Sequence, residues 1–232
     1  MMHVAGVDGC RGGWLCVEEN DGALRAFVAK SVNELLADLR GVSIIAIDVP
    51  IGLPDSGERP CDPIARHLLR PPRASSVFPV PVRDILGERD YKTACSRHRQ
   101  IDGRGMSRQA FAILPKIHEV DLLLAHEPGL QQRVREIHPE VCFAVWNKGL
   151  AMKHKKSIPQ GLAERQLLID KEWPSQRQKV ARHLRVREYQ PDDLNDAFAA
   201  LWTARRIVAG TATVLSPLRA TDRNGLRMEI WA

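Results

Sequence analysis

Two aspartates stand where an acid is costly. Asp8 closes an apolar run over 2–8, and Asp48 sits inside another, SIIAIDV at 43–49. A carboxylate on a buried strand must be paired, protonated or metal-bound, because burying it bare costs several kcal/mol. More acids gather further along: Glu136 and Glu140 in EIHPE, then Asp192, Asp193 and Asp196 in DDLND. At about 100° per residue, Asp193 borders the apolar stripe of a helix over 192–208, and Asp196 lies just beyond it on the same edge, while Asp192 points nearly away. Asp193 and Asp196 can therefore face one point. Carboxylates converging on one end of a sheet repel each other unless cations sit among them. Oxygen-only ligation selects hard ions, Mg²⁺ or Mn²⁺, rather than zinc. Two such ions about 3.5–4 Å apart activate a water and stabilise a leaving oxygen in phosphodiester hydrolysis. In that arrangement Asp8 bridges two metals, Asp48, Glu136 and Asp193 each hold one, and Asp196 holds a metal or orients a ligand. The plainer readings are turn caps, a salt bridge from Asp8 to Arg11, and acids favoured at a helix N-terminus.

Other residues near these acids bear on the same chemistry. His138 shares strand parity with Glu136 and is a ligand, a general base or a core histidine. His138 and Lys148 are candidates for proton handling or leaving-group stabilisation. Residues 9–13 (GCRGG) form a turn that either cradles a phosphate around Arg11 or opens a tight hairpin. Arg97, His98, Arg99, Arg104 and Arg108 surround Gly103 and Gly105 ahead of a helix capped by Ser107, as a phosphate grip or a solvated loop. Trp146 and Trp173 flank a basic segment and are the candidates to stack on bases; Trp202 reads as core. No Walker loop and no GxSxG occurs.

The charge is unevenly placed. The chain of 232 residues carries 34 Lys+Arg against 28 Asp+Glu, a net +6. Between Lys148 and Arg187 there are 11 basic residues and 3 acids, so this stretch is +8 and the remainder is −2. Lys155 and Lys156 lie within it, beside the proposed acidic site in sequence, as a surface for phosphates or a solvated helix face. Hydrophobic residues at 44% and charged residues at 27% exclude a disordered chain. No apolar stretch is long enough to span a bilayer, and no basic and apolar leader opens the sequence. Five scattered cysteines without CxxC argue against a disulfide framework or zinc ribbon, and for a reducing cytoplasm.

Positioning these residues requires a mixed sheet. Strands are expected over 2–8, 14–18 and 24–29, the last two joined by the hairpin signal Asn20-Asp21-Gly22. The capping box SVNE at 31–34 opens a helix bearing Leu35, Leu36 and Leu39, and the run at 43–49 is a strand covered on both faces. An antiparallel start followed by a helix crossover makes an α/β domain with a mixed sheet. Helices over 62–70 and 108–124, a Pro-rich stretch between them, a strand over 134–138 stopped by Pro139, and basic helix over 157–187 follow. Residues 55–128 read as a helical insertion, 148–190 as a basic helical segment, and 1–232 as one domain.

Several blocks resemble an uncharacterised bacterial and archaeal family of predicted nucleases with a ribonuclease H-like fold. They are 7–14 (VDGCRGGW), 46–54 (AIDVPIGLP), 61–66 (CDPIAR), 77–81 (VFPVP), 106–111 (MSRQAF) leading into 114–117 (LPKI), 136–140 (EIHPE) and 192–197 (DDLNDA). The resemblance implies a five-stranded ribonuclease H-like sheet of order 3-2-1-4-5. Within it, Asp8 and Asp48 match the acids of the central strands, Asp193 and Asp196 those of the last helix, and Glu136 or Glu140 completes the set. Holliday-junction resolvases would be the nearest mechanistic relatives. The expected function is a metal-dependent nuclease acting on DNA or RNA, with Arg11, Arg104, Lys148, Lys155 and Lys156 toward the substrate. A phosphate-binding ATPase of actin-like or kinase-like type and a non-catalytic nucleic-acid-binding protein are the alternatives.

Overall fold

The computed structural model describes residues 2–216 and 220–232. Its first three strands, β1 (His3–Cys10), β2 (Gly13–Asn20) and β3 (Ala23–Ala29), form an antiparallel meander. The hairpin at Asp21 and Gly22 turns with positive φ at both residues, 45° and 88°, which suits the twist of the strands it joins. Ser31 Oγ accepts the Glu34 N–H at 3.2 Å and opens α1 (Val32–Asp38). This helix carries the chain over one face of the sheet to β4 (Ile44–Asp48), parallel to β1. The run 55–128 then supplies α2 (Cys61–Arg73), α3 (Tyr91–Asp102) and α4 (Arg108–His126) before β5 (Val134–Glu136) pairs parallel to β4. The sheet order is β3-β2-β1-β4-β5, a mixed α/β architecture with the order 3-2-1-4-5 that was expected.

Three expectations change. The strand at 134–138 ends at Glu136; Pro139 does not merely stop it but occupies the first turn of α5 (Pro139–Trp146), where its missing N–H costs nothing. The basic stretch 157–187 is two helices, α6 (Pro159–Glu172) and α7 (Gln176–Ala181), broken where Pro174 and a left-handed Ser175 intervene. Arg97, His98 and Arg99, expected as a phosphate grip or a solvated loop, lie instead on α3, whose polar length buries only Ala94 and His98.

The last helix, α8 (Pro191–Val208), is buried continuously from Leu194 to Leu201. It lies between β1, β2 and β4 on one side and α5 and α6 on the other. Two short strands, β6 (Val214–Leu215) and β7 (Ile230–Trp231), pair with each other, and Trp231 bridges to Ile137 beside β5. Apolar side chains fill both faces of the sheet: Val4, Leu15, Val17 and Ala46 under α8, and Ala5, Val7, Ile45 and Ile47 under α1 and α4. Among the described residues no helix is long and apolar enough to cross a membrane.

Gly6 sets how closely α8 approaches. A Cβ there would lie 2.1 Å from Leu201 N and 2.2 Å from Ala197 O, both rigid backbone. Gly6→Ala is therefore expected to destabilise the protein by about 1–3 kcal/mol through overpacking, read as a lowered urea midpoint. An unchanged midpoint would mean that the helix moves away freely.

Candidate metal centre

Parallel pairing of β1 with β4 places Asp8 opposite Asp48 in register, both on the face that α8 covers. The Gly6 contact seats α8 so that Asp196 comes down beside them. One carboxylate oxygen from each of Asp8, Asp48 and Asp196 lies within 4.8 Å of the others. Asp8 is 5% exposed and Asp196 is fully buried, while Asp48 is half-buried.

Electrostatics follow from that crowding. Burial, then the neighbouring Asp48 and Asp196, pushes the Asp8 carboxyl well above the usual range. Asp48 is pushed up to about 7, by burial first and by Asp196 second. Burial also raises Asp196, against the pull of Lys156. The Lys156 ammonium donates to Asp196 Oδ2 and lies 3.7 Å from Asp192; Asp196 first, then Asp8 and Asp48, hold it more basic than a free lysine. Asp196 Oδ1 has no hydrogen-bond partner. A buried acceptor left orphaned among like charges fits a cation, and an all-oxygen donor set fits a hard one. Asp8, Asp48 and Asp196 are the residues that would hold it.

The cluster forms part of the lining of a cavity of about 690 Å³. Strand ends β1 and β4, helix α4, the segment after α2, the start of α5, and Lys155 and Lys156 enclose it. Residues 6–220 match the family described as a protein of unknown function, DUF429. The chain belongs to the DUF429 family. No curated protein and no solved structure matches it. The three clustered acids of this DUF429 chain all fall within the matched span.

The remaining expected residues divide. Glu136, expected as a ligand, lines the same cavity and its charge raises Asp48, but it stands in register with Ile47 rather than Asp48, so its side chain starts from the opposite face of the sheet. There Arg59 holds it from both ends, at 2.6 and 2.7 Å, and it accepts the Ile51 N–H at 2.6 Å. Burial still raises its carboxyl to about 7, against Arg59. Asp193 reaches the cavity wall but caps α8, accepting the Gln190 N–H at 2.8 Å; Asp196, the more buried of the pair, takes the place in the cluster. Asp192, expected to point away, turns toward Lys156. Glu140 borders the cavity, with one oxygen on the buried Arg165 at 3.1 Å and Oε2 unpartnered. His138 lines the cavity too. Its Nε2 lies 3.2 Å from the Ser76 carbonyl, which leaves Nδ1 as a free acceptor, and burial lowers its basicity.

Of the basic candidates in this DUF429 chain, Lys155 and Lys156 line the cavity, whereas Arg11, Arg104 and Lys148 do not. Arg11 is exposed at the tip of the β1–β2 hairpin. That turn is not a phosphate cradle: the Gly12 N–H already goes to Glu188 O at 2.7 Å, and backbone of Ala29 fills the space beside Gly13. Arg104 pairs with Asp102 at 2.7 Å, and Lys148 is exposed just beyond α5. Trp146 stacks on Trp202 at 4.9 Å and Trp173 donates to Glu19 at 3.2 Å, so both belong to a packed cluster under α8.

Lys116 was missed. It sits on α4 over Gly9, whose absent side chain makes room for it, and its Nζ donates to Gly13 O at 2.5 Å and lies 4.4 Å from the Trp14 ring centre. Burial lowers its basicity while Asp8 and Asp193 oppose that shift. The spacing Gln109, Ile113, Lys116 was the available signal: one helical face ending in a lysine.

The raised Asp48 value fixes a pH trend. A carboxyl that is more weakly acidic when folded than its ordinary 3.8 contributes no penalty below that value; its stability deficit grows as pH rises above 3.8 and levels off only above about 7. In the presence of a chelator the protein is therefore expected to melt higher at pH 6 than at pH 8, by a free energy on the order of 1 kcal/mol or more. Saturating Mn²⁺ should flatten that difference. A melting temperature that climbs steadily to pH 8 with chelator would contradict the clustering.

Proposed function

We propose that this DUF429 chain is a metal-dependent nuclease of ribonuclease H-like fold. The observation that carries the reading is the buried convergence of Asp8, Asp48 and Asp196, with one orphaned oxygen and a lysine as counter-charge, beside a cavity. The strand order and the acid on the final helix agree with that fold. Bound Mg²⁺ or Mn²⁺ would supply a polarised phosphoryl oxygen and an ionised water.

The chain's own groups do the rest. Asp8 and Asp48, fixed by strand register, hold their oxygens in place without reorganisation. Lys156 and Lys155 on one side and Lys116 on the other bind phosphate oxygens. His138, kept neutral by burial and tied through Nε2 to Ser76, offers Nδ1 as a proton acceptor. The apolar surroundings exclude water from the charges and strengthen each contact.

Mn²⁺ binding measured by calorimetry, together with Mn²⁺-dependent cleavage of branched, single-stranded or hybrid nucleic acid, tests the reading. Neither binding nor cleavage of any of these would overturn it.

A further inference from the structure

We propose that the cavity receives one nucleotide unit at the end of a strand, its phosphate on the floor of acids and lysines and its base on an apolar wall, and that it does not accept an uninterrupted strand. This rests on the phosphodiesterase reading and narrows its substrate.

Size is the first observation. About 690 Å³ falls among small-molecule sites, which run from about 300 to 1,000 Å³. Shape is the second. Gln109, Ile113 and Lys116 share one face of α4, running from an exposed glutamine to the half-buried lysine over Gly9. Facing them, Val77, Phe78 and Val80 form an apolar wall with an aromatic ring on which a base can stack. A strand passing through needs room to enter and leave, whereas a terminus needs only to enter.

Charge is the third observation. Binding along a polynucleotide calls for a basic track that neutralises successive phosphates. Of the cations that line this cavity, Arg59 is taken up by Glu136 and Asp62, which leaves Arg73, Lys116, Lys155 and Lys156; outside it, Arg165 and Arg177 turn to Glu140 and Asn195. Two of the lining lysines, Lys116 and Lys156, lie within the field of Asp8, where the scissile phosphate would sit. Two cations suit one phosphate group.

The reaction balances as hydrolysis. Water oxygen bonds to the terminal phosphorus, the bridging P–O bond breaks, and the leaving oxygen takes one proton of the water. The other proton is released with the nucleoside monophosphate.

The test compares a linear single-stranded oligodeoxynucleotide with the same sequence closed into a circle, each with the Mn²⁺-loaded protein. The line should be shortened one nucleotide at a time, and the circle cut about 100-fold more slowly or less, the scale of a misplaced scissile bond. A circle cut as fast as the line would overturn the proposal and leave the nuclease reading standing. No cleavage of either would overturn the proposal, and with branched and hybrid nucleic acid also uncut and no Mn²⁺ bound it would remove the nuclease reading as well. A binding measurement gives a second readout. With Mn²⁺ present, thymidine 5′-monophosphate should bind the wild type and lose about tenfold or more in affinity to Phe78→Glu, with circular dichroism confirming the fold of the variant. Equal affinity would overturn the placement of the base.

Discussion

Asp8→Asn is expected to abolish Mn²⁺-dependent hydrolysis and, at the same time, to raise the melting temperature of the chelator-treated protein. The first effect follows because Asp8 is central to the three-acid cluster. Groups that only orient metal ligands already cost about 10–100-fold when changed, so loss of a direct ligand should exceed about 100-fold. The second follows because Asp8 is buried against Asp48 and Asp196, which push its carboxyl upward. An amide of the same shape carries no charge and offers an N–H to the oxygens facing it. The gain should be on the order of 1 kcal/mol, the scale of one pKa unit. Opposite signs for activity and stability are the diagnostic. A variant that loses both has lost its fold, and one that keeps cleavage rate removes Asp8 from the site.

Arg59→Met is expected to cost the most stability of any single change, about 3–5 kcal/mol, because it leaves buried charges without a partner. Arg59 is 2% exposed. It donates twice to Glu136, twice to Asp62 at 2.7 and 3.3 Å, and once to the Ile51 carbonyl at 3.2 Å. The loss is a large share of the roughly 5–15 kcal/mol that holds a domain together. Adding Glu136→Gln to Arg59→Met should recover part of it, so that the two changes fall short of additive in urea denaturation. The same pair separates structure from ligation: Glu136→Gln alone should disturb Mn²⁺ affinity much less than Asp48→Asn. Equal losses of Mn²⁺ affinity would return Glu136 to the metal centre.

The acids of the cluster were legible in the sequence for one reason. An aspartate inside an apolar strand, or a full turn inside a buried helix, costs energy that only a compensating role repays, and Asp8, Asp48 and Asp196 each break their local pattern. Glu136 broke its pattern too, but the group that compensates it, Arg59, lies far away in sequence within a segment of no clear periodicity. Only the pairing of Ile47 with Glu136 reveals that it starts from the other face of the sheet. The +8 stretch misled in a similar way: Arg165 is fully buried against Glu140 and Arg177 turns inward to Asn195, so charge close in sequence is not one surface. Helix α5 was hidden by Pro139, since a proline after a strand reads equally as a stop or as a first turn. Lys116 escaped because the apolar stripe of α4, through Leu114, Ile117 and Val120, accounts for that helix without it. The sheet order depended on family resemblance, since local signals give strands but not neighbours.

The bare contact at Gly6 has a consequence for how the site tolerates heat and change. Where side chains separate two elements, thermal motion and substitution are absorbed by rotamer shifts. Between β1 and α8 no side chain intervenes at Gly6, and main chain rests on main chain. Asp8 lies two residues along one of these segments, and Asp196 adjoins Ala197 on the other. The seam therefore acts as a gauge block: it sets the spacing of the two carboxylates through a contact of backbone on backbone. Sequence drift on the outer helices can be wide while this seam stays narrow, and the separation of Asp8 from Asp196 is inherited from it.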